Sequence, residues 1–328
     1  MTMAFDVACL RPKADFLDIG VVPPKILSIA YLDPDDPDLA SILAEVRAVI
    51  IPAVGPKLGP ALFENSNIQL VQVTGAGVDR VDEAGMKELG IAVANVVGGS
   101  NHAVAEYAVG STLILLRRIA WANAEIRDGR YDEARSRMIA DSLSGLSGLT
   151  VGVVGLGSIG HAVALAFKSM GGRIVFYDPE VADSDVSSEL EARRLSLLEL
   201  LTSADVVTLH VPLLPATTGL IGKDEIALMK RGAILINAAR GGIVDEAALA
   251  AALTAGDLGG AAIDVYAGEP PSDDNQLLAL EGDAARCTLL TPHIAGVTRQ
   301  AWVNLFVASW ENVERVLCNG EDPVNRVY

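Results

Sequence analysis

TVGVVGLGSIGHAVALAFKSM, residues 150–170, joins three signals in one run: a β-branched apolar strand, a G-x-G-x-x-G loop and a helical apolar pattern. A lone glycine motif says little, but a strand before it and a helix after it make a dinucleotide-binding turn. Gly155 permits the tight turn, Gly157 lets the backbone approach a pyrophosphate, and Gly160 lets the helix pack on its strand. The N–H groups of Ser158, Ile159 and Gly160 open the helix, where its dipole favours a phosphate. The next strand, RIVFYD, ends at Asp178. An acid at that distance accepts hydrogen bonds from the adenosine ribose and repels a 2′-phosphate, so the reading is NAD rather than NADP.

Working outward, short β-branched runs alternate with helical stretches, which implies an α/β fold with mostly parallel sheets. Strands are expected at 26–32, 48–52, 68–73 and 91–94, then at 150–155, 173–177, 206–211, 233–238, 261–265 and 288–291. One long amphipathic helical segment is expected from about 101 to 130, since no proline interrupts it. The glycine loop sits mid-chain, so the βα units before it must form a lobe of their own. The expectation is two Rossmann-like lobes: an NAD-binding domain at 100–298, inserted into a discontinuous substrate domain at 1–99 plus 299–328. A cleft between lobes is a favoured place for a small ligand.

Hydrophobic residues make up 51% of the 328, and the formal net charge is −17. That composition argues against disorder, and the acidity against a nucleic acid as partner. The start of the chain lacks a basic segment followed by an apolar one, so no signal peptide is expected. The apolar stretch 103–116 contains Glu106 and is too short to span a bilayer. Cys9, Cys287 and Cys318 are odd in number and widely spaced, which fits a reducing compartment such as the cytoplasm.

Three further motifs carry chemistry. Arg240 follows the strand AILINAA in NAARGG, and the carboxyl end of a strand is where open α/β sheets bind ligands. A guanidinium there can grip a carboxylate through two parallel hydrogen bonds. His293, in TPHIAG, titrates near neutral pH and can give a proton to a carbonyl oxygen or take one from a hydroxyl. Glu269, in DVYAGEP, would fix the imidazole tautomer and favour its acid form if the two side chains meet. His102, His161 and His210 rank below His293 as acid/base candidates. No cluster has metal-ligand spacing, so no metal is expected.

These stretches, with GLSGLTVGVVGLGSIG, SADVVTLHVPLLPATTGLI, MKRGAILINAARGGIVDEAAL and AAIDVYAGEPP, resemble the D-isomer-specific 2-hydroxyacid dehydrogenases in order and spacing. That family includes phosphoglycerate dehydrogenases and glyoxylate/hydroxypyruvate reductases. The resemblance implies hydride exchange between NAD and a small anionic 2-keto or 2-hydroxy acid. It gives Arg240 the substrate's carboxylate and carbonyl, His293 the proton, and Glu269 the orientation of His293. It places Val211, Thr217, Ala239, Asp264 and Gly296 around the cofactor. It also makes TGAGVDRVD a substrate loop, with the backbone amides of Ala76 and Gly77 receiving the carboxylate. Where the family's formate and phosphite enzymes carry Gln and Lys, this chain has Glu269 and Ala76, which disfavours both substrates. The chain ends at Tyr328, so the regulatory domain of some phosphoglycerate dehydrogenases is not expected. A homodimer built through Trp121 and the segment 127–142 is implied. The alternative from a different class is a dinucleotide-sensing protein resembling the family's transcriptional corepressors.

Overall fold

The computed structural model describes residues 5–181 and 188–328. The chain divides into two compact units, Met1–Ser100 with Val297–Tyr328, and Asn101–Gly296. The first contains β1 (Val7–Cys9), α1 (Lys13–Leu17), β2 (Ile29–Tyr31), α2 (Leu39–Glu45), β3 (Ala48–Ile51), β4 (Leu70–Val73), α3 (Glu83–Leu89), β5 (Ala92–Ala94) and a C-terminal helix, Arg299–Asn319. Its sheet is parallel, in the order β2-β1-β3-β4-β5. β1, β3 and β4 are buried along their whole lengths, as parallel strands covered on both faces must be. The C-terminal helix sets Phe306 and Trp310 against Phe16, at 4.6 and 5.5 Å between ring centroids. The chain's tail covers the β5 edge: Val93 N–H donates to the Tyr328 carbonyl, and Val327 N–H to that of Val93.

The second unit contains α4 (Asn101–Leu116), α5 (Ile119–Arg127), α6 (Tyr131–Ala140), β6 (Thr150–Val154), α7 (Ser158–Ser169), β7 (Arg173–Tyr177), β8 (Arg193–Arg194), α8 (Leu197–Ser203) and β9 (Val206–Leu209). After these come α9 (Lys223–Leu228), β10 (Ile234–Asn237), α10 (Glu246–Ala255), β11 (Gly260–Ile263), α11 (Gly282–Arg286) and β12 (Thr288–Leu290). The sheet is again parallel, ordered β12-β11-β10-β9-β6-β7-β8. α7 buries Gly160, Val163, Ala164 and Phe167, a three-four spacing that faces the sheet. Ser196 and Glu199 form a capping box at the start of α8, and Asp245 caps α10.

One expectation is corrected. The single segment from 101 to 130 is two helices. The chain breaks at Arg118, which takes a left-handed φ of 48°, and its guanidinium is tied to Asp141. Neither proline nor glycine marks that break. β1 was not expected, because Val7–Cys9 is three apolar residues with no alternation to announce a strand.

Register positions the functional motifs. Tyr177 pairs with Val154, Val154 with Leu209, Leu209 with Asn237, Asn237 with Ile263, and Ile263 with Leu290. One row of the sheet therefore holds the final residues of six strands. Asp178, Gly155, His210, Ala238, Asp264 and Thr291 follow them together at the carboxyl edge.

Candidate active site

The glycine loop is built as a cradle. Gly155 has a φ of 90°, and a Cβ there would lie 2.5 Å from the His210 carbonyl oxygen. A Cβ on Gly160 would lie 2.0 Å from the Gly155 oxygen, so helix and loop touch backbone to backbone. Around Gly157 there is open space, and no side chain caps α7. The first N–H groups of α7 thus meet room for a phosphate. Ser158 is held from α4, where Asn101 Nδ2 donates to its Oγ at 2.6 Å. Asp178 accepts from the N–H groups of Leu156 (2.7 Å), Glu180 (2.9 Å) and Val181 (3.2 Å), which fixes its carboxylate against the loop. These residues fit a dinucleotide. Val211 lies against Gly155. Thr217 ties its own turn through Pro212 O and Leu214 N–H. Gly296 follows the His293 loop.

Arg240, Glu269 and His293 stand beyond the ends of adjacent strands. Asn237 is 2% exposed, and its amide holds the Arg240 turn by accepting from Ala239 N–H (3.2 Å) and donating to the Arg240 carbonyl (3.1 Å). Arg240 Nη1 donates to the Ala239 carbonyl at 2.7 Å. A Cβ on Gly241 would sit 1.7 Å from the Tyr266 oxygen, so the Arg240 turn packs directly on the backbone that leads to Glu269. Glu269 Oε1 accepts from Tyr266 N–H at 3.1 Å. Its Oε2 lies 2.8 Å from His293 Nδ1, with the two side chains 26% and 25% exposed. That contact uses Nδ1, and Nε2 is the ring's second hydrogen-bonding nitrogen. Burial opposes the charge on Glu269. The His293 hydrogen bond and charge, the Tyr266 N–H and the Arg240 charge outweigh it and hold the carboxyl below its ordinary value.

Asp264, expected beside the cofactor, is fully buried. It accepts from Thr291 Oγ1 and from the N–H groups of Ile294 and Ala295. Ala239 is buried in the Arg240 turn. Of the other histidines, His210 bonds Thr208 Oγ1 through Nε2 at 2.8 Å, and burial pushes it down to about 3, which keeps it neutral. His102 is exposed and His161 half-buried.

In the first unit, Ala76 and Gly77 follow β4. Ala76 is exposed, its carbonyl accepts from Asn95 Nδ2 at 2.6 Å, and among the described residues neither backbone N–H donates a hydrogen bond. Among the described residues no group of His, Cys, Asp and Glu is placed to hold a metal ion.

Tyr107, Glu246 and Asn275 also shape this edge, although no sequence motif gives them a role. Tyr107 bonds Thr291. Glu246 anchors the Glu269 loop by accepting from Ala267 N–H at 2.7 Å and Asn275 Nδ2 at 2.5 Å. Only the placement of Glu246 in the first turn of α10, whose N-terminus lies at the carboxyl edge, hinted at it.

Residues 109–295 match the D-isomer specific 2-hydroxyacid dehydrogenase, NAD binding domain. The chain is 39% identical over 247 residues to D-3-phosphoglycerate dehydrogenase of Archaeoglobus fulgidus, covering 75% of this chain and 45% of that protein. It is 36% identical to glycerate dehydrogenase of Methylorubrum extorquens, covering 79% of each. It spans about half the length of the phosphoglycerate dehydrogenases it matches. Its fold is similar to that of D-mandelate dehydrogenase of Rhodotorula graminis, with a TM-score of 0.83, 26% identity and coverage of 98% and 97%. With its glycine cradle and its His293–Glu269 pair carried on one NAD-binding unit, the chain belongs to the D-isomer specific 2-hydroxyacid dehydrogenases.

Proposed function

We propose that the protein is an NAD-dependent oxidoreductase that interconverts a 2-keto acid and a D-2-hydroxy acid. The observation that carries this reading is the 2.8 Å His293–Glu269 pair on the sheet edge that also bears the glycine loop. Gly155, Gly157, Ser158, Ile159 and Gly160 hold the pyrophosphate, and Asp178 the ribose. The bound nicotinamide supplies or accepts the hydride. Arg240 orients the substrate's carboxylate and carbonyl and stabilises the developing negative charge. His293 Nε2 gives its proton to the carbonyl oxygen in reduction and takes it back in oxidation, while Glu269 holds Nδ1 and balances the imidazolium. The N–H groups of Ala76 and Gly77 receive the carboxylate.

Initial rates with NADH against glyoxylate, hydroxypyruvate, pyruvate, phenylpyruvate and 3-phosphohydroxypyruvate test this. The expected result is oxidation of NADH in preference to NADPH with at least one of these. NADH binding with no turnover across the panel sinks the reading and leaves a dinucleotide sensor.

The proposed partner of the protein is a second copy of itself. Trp121 is buried, but Ile119, Ile126, Tyr131 and Ile139 on α5 and α6 are 50–60% exposed. Ile126, Tyr131 and Ile139 line a groove of about 760 Å³. Light scattering showing monomer mass at micromolar concentration overturns this. No helix among the described residues is long and apolar enough to cross a membrane. The free cysteines suit the cytoplasm as the proposed location.

A further inference from the structure

We propose that Tyr107 and Thr291 are positioning residues for His293, acting through the buried carboxylate of Asp264. The proposal rests on the reading of His293 as the proton carrier. His293 has a φ of 54°, in the left-handed region, which costs an L-residue on the order of 1 kcal/mol. Asp264 holds it there. The His293 N–H donates to the Asp264 backbone carbonyl at 2.8 Å. The next two N–H groups, of Ile294 and Ala295, donate to Asp264 Oδ1 at 2.8 Å and Oδ2 at 2.7 Å. Three consecutive backbone donors thus converge on one residue, and the imidazole can aim its Nδ1 at Glu269 only in the turn they define.

The carboxylate is in turn oriented from outside the loop. Thr291 Oγ1 donates its single proton to Asp264 Oδ1 at 2.6 Å. The Tyr107 hydroxyl lies 2.7 Å from the same Thr291 oxygen, so it must be the donor of that pair. Burial raises the Tyr107 phenol, which keeps the donor protonated. The chain therefore runs one way, from Tyr107 through Thr291 and Asp264 to the three N–H groups of the His293 turn. Tyr107 stands 184 residues from Thr291 in sequence and comes from α4. That same helix grips Ser158 in the glycine loop through Asn101. One rigid helix thus fixes both the dinucleotide loop and the turn that carries the imidazole. A phenyl ring would fill the Tyr107 position as well as a phenol does. The hydroxyl carries the positioning, because it sets the direction of the Thr291 hydroxyl and keeps that O–H pointed at the carboxylate.

The test compares Tyr107→Phe, Thr291→Val and Thr291→Ser with wild type in the full chain. Tyr107→Phe and Thr291→Val are expected to lower kcat roughly tenfold. The KM for NADH should stay within about twofold of wild type. The alkaline limb of the pH profile for carbonyl reduction should move to lower pH as the Glu269 contact loosens, and Thr291→Ser should restore both readouts. The His293 imidazole resonances of the NADH-free protein, identified by their loss in His293→Asn, should titrate differently in the two hydroxyl-deleting variants. Wild-type kcat, pH profile and His293 titration in both Tyr107→Phe and Thr291→Val overturn the proposal. If Tyr107→Phe does not fold, the Thr291 Val/Ser pair decides it. If wild type turns over no 2-keto acid, the functional reading fails, while the His293 resonances still decide whether the relay positions the ring.

Discussion

Both units end parallel strands at a carboxyl edge, and both place arginine there, but they use the charge differently. In the first unit Arg80 is 3% exposed and donates to the Pro56 and Pro52 carbonyls at 2.8 and 2.9 Å. Arg11 donates to Thr74 Oγ1 and pairs with Asp15, with Phe306 and Trp302 at 4.8 and 5.4 Å. Burial lowers both guanidinium pKa values. These groups tie loops together. In the second unit Arg240 sits on a glycine turn packed against the backbone before a pair that is only a quarter exposed on each side. Strand-end geometry is common to the two edges. Burial, and the carboxylate–imidazole pair, separate these tied guanidinium groups from Arg240, the proposed substrate-binding cation.

If that contrast holds, substitutions at the second edge should cost turnover and those at the first should cost stability. The largest effect is expected for His293→Ala, with kcat at least about a hundredfold lower and NADH affinity kept, read by steady-state rates and fluorescence quenching. Unchanged kcat would falsify its role. Glu269→Gln should lower kcat by about tenfold and shift the alkaline limb of reduction to lower pH. The amide removes the negative charge that faces the imidazole ring at 2.8 Å. The sign for stability follows from the lowered Glu269 carboxyl. Because Glu269 lies below its ordinary value when folded, the pair stabilises the fold above the unfolded carboxylate's pKa, and that contribution is lost as pH falls through the folded value. An identical pH profile in Glu269→Gln would contradict the pairing. Smallest on NADH affinity is Arg80→Met. It should leave that affinity unchanged and destabilise the chain by about 2 kcal/mol, because two carbonyls lose their donor. Denaturant titration with wild-type stability would place Arg80 outside the structural role.

Much of the second unit is legible because its signals are local. The strand–glycine–helix run needs only neighbours in sequence, and Asp178, Arg240, Glu269 and His293 each sit in a short motif that follows an apolar strand. What escaped detection lacked such a signal. β1 is three residues long with no alternation. The break at Arg118 uses a left-handed non-glycine residue whose side chain is tied to Asp141, a contact made only after folding. Tyr107 looks like one more apolar position of α4, since its hydroxyl partner lies 184 residues away.

Residue order alone establishes the α/β class, the dinucleotide turn and the set of charged groups past the strand ends. Each follows from periodicity, glycine conformation or side-chain chemistry, which are properties of short segments. Folding establishes that Val154, Leu209, Asn237, Ile263 and Leu290 share one register row. It also sets His293 Nδ1 at 2.8 Å from Glu269 and makes Asp264 the anchor of a left-handed turn. Those depend on hydrogen bonds between strands and loops tens to hundreds of residues apart, which no local pattern encodes.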